Sequence, residues 1–208
     1  MKIGILGGTF NPIHIGHLIL AEETREKLSL DRIIFVPTNL PPHKDNSDII
    51  PAQMRITMVK LAIQGNKYFL TSDIEIKRDG RSYTIDTIKE FKKKYPRDEL
   101  YFIIGSDLLM YLDDWKDLNE IIKMVNFIVA TRPAYPLEKM PAYISTIPIR
   151  AVDISGFEIR KAIRKNKSFR YLVPGSVYKY IIKNKLYTWD GSGLKAEPSP
   201  KKDTSRTT

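Results

Sequence analysis

The sequence predicts an α/β protein with a Rossmann-like, doubly wound parallel sheet, and two observations carry the prediction. Short apolar runs alternate with stretches of helical periodicity along most of the chain, and the first apolar run ends in a glycine pair that opens a helix. In order, KIGIL is a strand ending at Gly7-Gly8, and residues 15–28 have helical spacing with charges on the outer face. RIIFVP (32–37) is a second, buried strand, residues 51–65 form a helix closed by Gly65, and YFLTSDIEIKR (68–78) is extended. Residues 83–95 are helical, ELYFIIGSD (99–107) is a strand, 118–125 a helix, and NFIVATRP (126–133) a strand stopped by proline.

Beyond Pro133 prolines break the pattern into loops around one further strand near YISTIPI. Two helices follow, GFEIRKAIRK and PGSVYKYIIKNKL, the second with proline in its first turn, where the missing N–H costs nothing. Residues 1–188 are therefore expected to form a single domain. The segment 189–208, in which Leu194 is the one residue beyond Trp189 able to pack, is expected to be disordered.

A chain of 208 residues, 42% hydrophobic and 28% charged, can bury a sizeable core. No apolar run reaches the length of about 18 residues that a membrane span needs, and the start shows no cleavable signal pattern, so a cytoplasmic protein is expected. The absence of cysteine excludes disulfides, a Cys-ligated zinc and a thiol nucleophile. The net charge of +10 attracts phosphate without choosing between a polymer and a small polyphosphate. The basic residues crowd between Arg160 and Trp189, with no acid among them, and most read as solvated surface.

In an open parallel sheet, ligands bind beyond the carboxyl ends of the strands, where a helix start presents unpaired N–H groups and partial positive charge. Gly7 and Gly8 permit close backbone approach there, and Thr9 and Asn11 offer side-chain hydrogen bonds. The spacing matches neither G-x-G-x-x-G nor the Walker pattern. His14 and His17 lie three apart at the helix entry and share one side of it. Zinc would require further ligands where only His43 remains, so no metal site is expected. Phosphate contact suits the pair better, as imidazole N–H groups can stabilise charge developing on a polyphosphate.

GGTFNPIHIGHL resembles the signature of the nucleotidyltransferase superfamily, a small-residue loop ending in His-x-Gly-His. HIGH itself is shared with class I aminoacyl-tRNA synthetases. The superfamily's second element, a hydroxyl-rich turn followed by Ile-Arg at a helix start, is matched by Ile154-Ser155-Gly156-Phe157-Glu158-Ile159-Arg160. Ser155 and Glu158 have capping-box spacing, which places Arg160 in the first turns of a capped helix. Gly156 and Phe157 stand where the family commonly has hydroxyl residues. Pro41-Pro42-His43-Lys44, Ser82 to Thr87, Gly105-Ser106-Asp107, Asp114-Trp115-Lys116, Thr131-Arg132-Pro133 and Val173-Pro174-x-x-Val177-x-x-Tyr180 then fall in the order of the bacterial nicotinate-nucleotide adenylyltransferase family.

The resemblance implies adenylyl transfer from ATP to nicotinate mononucleotide in NAD biosynthesis, giving nicotinate adenine dinucleotide and pyrophosphate. It implies His14, His17 and Arg160 as the catalytic groups, with Gly7, Gly8, Thr9, Phe10, Gly16, Ser155 and Ile159 at ATP. Asn11, Lys44, Thr84, Gly105, Asp107, Trp115 and Arg132 would meet nicotinate mononucleotide, the pyridine stacking near Trp115. Mg²⁺ would arrive on ATP. The sequence leaves the oligomeric state open, a homodimer included. The alternatives are nicotinamide mononucleotide or pantetheine phosphate as acceptor and, from another class, an RNA-binding protein, against which stands the lack of any aromatic RNP pattern.

Overall fold

A computed structural model describes residues 1–41, 48–78, 80–131, 141, 143–150 and 152–188, with the side chains of Asp107 and Met110 outside the description. Six strands form one sheet: β1 (Lys2–Gly8), β2 (Arg32–Pro37), β3 (Phe69–Thr71), β4 (Glu99–Gly105), β5 (Asn126–Thr131) and β6 (Ile144–Pro148). Their order is β3-β2-β1-β4-β5-β6 and every pairing is parallel. The expected doubly wound topology is thus realised. β1 pairs with both β2 and β4, so the order reverses beside it and opens a crevice at the carboxyl ends of β1 and β4.

The helices are α1 (Ile15–Lys27), α2 (Ala52–Ile63), α3 (Thr84–Lys94), α4 (Leu118–Met124), α5 (Gly156–Arg164) and α6 (Gly175–Lys183). One core layer joins Ala21 of α1, Met58 and Val59 of α2, Ile159 of α5 and Val177 of α6 to one face of the sheet. The other joins Ile85, Ile88 and Phe91 of α3 and Ile121 of α4 to the opposite face. Continuous apolar runs such as Ile33-Ile34-Phe35-Val36 are buried throughout because the sheet is covered on both sides. Parallel connections also require α1, α2 and α3 to begin at the carboxyl edge, and α5 follows the carboxyl end of β6.

Two sequence expectations change. The extended segment 68–78 shortens to β3, and residues 74–76 turn away, with Lys77 N–H donating to the Asp73 carbonyl at 2.9 Å. The reason is Glu75: its carboxylate is buried and accepts from the Thr87 hydroxyl at 2.7 Å, a partner that a continuing edge strand would not reach. Ser106 and Asp107 leave the strand for a 3₁₀ helix, Ser106–Asp114, that buries Leu112. No helix among the described residues is long and apolar enough to cross a membrane.

Candidate active site

The loop from β1 to α1 is the centre of the site. Gly7 and Gly8 end β1 opposite Val36 and Pro37, half-exposed at the crevice, and Thr9 follows. Phe10 takes the left-handed conformation (φ 48°), which turns the chain sharply, and its ring is buried against Phe35 and edge-on to His17 at 5.0 Å. The side chain expected at ATP therefore belongs to the core, leaving Phe10 only its backbone to offer.

Asn11 is buried and spends its side chain within the protein. Its amide N–H donates to the Asp48 carbonyl at 2.8 Å, and its side-chain oxygen accepts from the Tyr187 hydroxyl at 3.0 Å and the Ile50 N–H at 3.4 Å. The ligand contact expected of Asn11 gives way to an architectural one. Burial pushes the Tyr187 phenol far above its ordinary range, so it stays a neutral donor.

His14 caps α1 and is buried, while His17 in the first turn stays partly exposed. Their rings stack 3.7 Å apart at 29°. The His14 N–H donates to Nδ1 of His17 at 3.2 Å, which makes Nδ1 an acceptor and leaves the proton of a neutral His17 on Nε2, as a donor. Gly16 makes the stack possible, since a Cβ there would lie 3.1 Å from Nδ1 of His14.

The second signature closes over this loop. Ser155 caps α5, its Oγ accepting from the Glu158 N–H at 3.1 Å as the spacing predicted. Ile159 is fully buried, so the residue expected at ATP acts as the core anchor of α5. Arg160 donates from Nη1 to the Asn11 carbonyl at 2.8 Å and lies 3.6 Å from Asp48. Asp48 also accepts from Arg164 at 2.6 Å, and this guanidinium, followed by Arg160, holds the Asp48 carboxyl below its ordinary range. Gly156 allows the close contact: a Cβ there would lie 3.0 Å from the Asn11 carbonyl oxygen. Phe157, next in the turn, is 57% exposed.

On the other side of the crevice, Gly105 ends β4 and Thr84 begins α3, both half-buried. Trp115 is half-buried, edge-on to Phe102 at 5.8 Å and tilted on Phe127 at 5.9 Å. A shallow cavity of about 700 Å³ beside it is bordered by Asp113, Asp117, Glu120, Lys123 and Tyr143. Three carboxylates against one lysine make that cavity a poor host for a phosphate, so the crevice at α1 and α5 is the better candidate. Lys44, Arg132 and the Asp107 side chain, together with His43 and the tail 189–208, lie outside the described residues.

Arg55 is the residue that sequence reasoning missed. It is buried in α2, its Nε donating to the Ile50 carbonyl (3.0 Å), Nη1 to Thr9 (2.7 Å) and Nη2 to Asn39 (2.9 Å). The available signal was a charge on the apolar stripe shared with Val59 and Ile63. Among the described residues no group of three His, Asp or Glu side chains could hold a metal ion.

Residues 5–176 match the cytidylyltransferase-like family model. Nicotinate-nucleotide adenylyltransferase of Bacillus subtilis is 42% identical over 89% of this chain and 98% of its own length. A protein of Geobacter sulfurreducens named a probable nicotinate-nucleotide adenylyltransferase is 41% identical over 92% of this chain and its own full length. Among solved structures, Plasmodium falciparum nicotinic acid mononucleotide adenylyltransferase complexed with NaAD shares the fold, with a TM-score of 0.75 at 24% identity over 89% of this chain and 97% of that one.

Proposed function

The chain belongs to the cytidylyltransferase-like family and, within it, to the nicotinate-nucleotide adenylyltransferases, and from that premise we propose that it transfers the adenylyl group of ATP to nicotinate mononucleotide. A 5′-phosphate oxygen of the mononucleotide attacks the α-phosphorus, the bond from that phosphorus to the bridging oxygen breaks, and pyrophosphate leaves. The nucleophile is already ionised, so no general base or covalent enzyme intermediate is required. Catalysis then consists of alignment and stabilisation of phosphate charge.

The observation that carries this reading is the meeting of α1 and α5 at the mouth of β1. It brings the stacked His14 and His17 to the same loop that Arg160 grips through the Asn11 carbonyl. In this reading the Nε2–H of His17 donates to the triphosphate, and the backbone of Gly7, Gly8, Thr9 and Phe10 cradles it. Arg160, with Nη1 bonded to the Asn11 carbonyl and Nη2 3.6 Å from Asp48, turns its remaining N–H groups to the leaving phosphates. Trp115 and Thr84 face the pyridine, and Lys44, Asp107 and Arg132 supply the polar contacts assigned to them by resemblance. Mg²⁺ carried by the triphosphate would supply further charge neutralisation there.

The test is pyrophosphate release from ATP with nicotinate mononucleotide, nicotinamide mononucleotide and phosphopantetheine as acceptors, with product mass determined. Turnover with nicotinate mononucleotide at least about tenfold above the others is expected, since a site tuned to one polar group discriminates strongly. Equal use of the amide, or release only with phosphopantetheine, would overturn the substrate assignment. Tight, salt-sensitive RNA binding without pyrophosphate release would overturn the enzyme itself.

A further inference from the structure

We infer that Arg55 is a positioning residue that holds the loops after β1 and β2 at a fixed separation and so sets the alignment of the two substrates; the inference rests on the activity proposed above. Arg55 is 1% exposed, and its three guanidinium nitrogens reach carbonyls in three stretches of chain, Thr9, Asn39 and Ile50. Among the described residues no carboxylate pairs with it directly. Burial lowers its pKa to about 10, so it remains charged at neutral pH.

Packing alone does not account for such a group. A methionine or leucine would fill the contact between α2 and the sheet without desolvating a cation, and substitutions of that kind are often neutral or stabilising. What an apolar chain lacks is a rigid fork of donors able to bridge three carbonyls. Thr9 belongs to the glycine loop that leads to His14 and His17, while Asn39 and Ile50 stand on either side of the stretch that includes Lys44.

The ties continue across the crevice. The Asn39 N–H donates to Ser82 Oγ at 3.0 Å, and the Ser82 N–H donates to the Leu40 carbonyl at 3.0 Å, two residues before Thr84. One side chain thus connects the phosphate loop to the start of α3, the two sides between which the reacting phosphates must align. Misplacement by about 1 Å is enough to lower a rate about a hundredfold.

The experiment compares the full-length chain with R55K and R55M. It measures kcat and KM for ATP and nicotinate mononucleotide at a temperature where circular dichroism shows each variant folded. Amide exchange at Thr38, Asn39 and Ile50, whose N–H groups bond to Gly8, Ser82 and Asn11, is followed by NMR without substrates. Lysine keeps the charge but cannot span three carbonyls, so R55K should lose at least about tenfold in kcat and R55M about a hundredfold. KM should change less than about threefold, and the three amides should exchange faster. Wild-type kcat in either folded variant would overturn the inference, as would reduced kcat with unaltered exchange. If R55M fails to fold, R55K decides. Should the wild-type chain release no pyrophosphate, the proposed activity fails, while the exchange comparison still tests the clamp.

Discussion

The loop after β1 and the loop after β4 border one crevice but are held in different ways. After β1, Thr9 and Asn11 give their carbonyls to Arg55 and Arg160, the Asn11 side chain has three protein partners, and the Ile15 N–H donates to the Leu172 carbonyl at 3.0 Å. After β4, the chain winds through the 3₁₀ helix to Trp115, whose indole rests on Phe102 and Phe127 and whose neighbour Lys116 lies 5.1 Å over the Tyr83 ring. The first loop is stitched by directional bonds, as the proposed stabilisation of transition-state charge requires. The second is positioned by apolar and ring contacts, which suit recognition of a flat heterocycle.

The largest effect should come from the stitched side. His17→Ala removes a partly exposed ring that edges Phe10, stacks on His14 and accepts from the His14 backbone N–H, so the fold should lose about 1–2 kcal/mol. The kcat should fall about a hundredfold or more, the scale on which a single donor to transition-state charge is felt. Steady-state kinetics alongside a thermal melt separates the two. Near-normal kcat in the folded variant would break the comparison at its stronger end.

A smaller and more selective effect is expected at the other loop. Trp115→Ala should raise KM for nicotinate mononucleotide about tenfold, the equivalent of one aromatic stack, and leave KM for ATP within about twofold. Equal rises for both substrates would show that Trp115 supports the whole crevice rather than one ring. In that case the two loops would not divide the work.

What was legible in the sequence follows the same division. The strands could be read because a sheet covered on both faces demands unbroken apolar runs, as in Arg32 to Pro37, and the cap at Ser155 because its partner Glu158 is three residues away. The role of Asn11 could not be read, because Asp48 and Tyr187 lie 37 and 176 residues away and only the fold brings them to it. Resemblance assigned Phe10 and Ile159 to ATP, and only the structure shows that both side chains turn to the core. The 3₁₀ helix left no clear local mark, because Gly105-Ser106-Asp107 reads as the end of the strand and the nine residues to Asp114 are too few for a sustained helical periodicity. Local rules disclosed local structure; long-range polar ties had no local trace.

The smallest effect should be one of stability, at the seam where the stitched loop meets α5. Asp48 accepts from Arg164 at 2.6 Å and lies 3.6 Å from Arg160, yet 38% of its side chain remains in water. Solvent screening therefore limits the contribution of the pairs to about 1 kcal/mol or less. Because the folded state holds the Asp48 carboxyl below its unfolded value, that contribution is complete above the ordinary aspartate range near pH 4 and is lost as pH falls through the lower folded value. Asp48→Asn should consequently lower the melting temperature by a few degrees at pH 7, and the gap to the wild type should close as both are acidified. Melts by circular dichroism across that range supply the check. No gap at pH 7 would mean that Asp48 acts through its backbone carbonyl on Asn11, which the asparagine retains, and a gap that stays constant to pH 2 would mean that its charge is irrelevant to the seam.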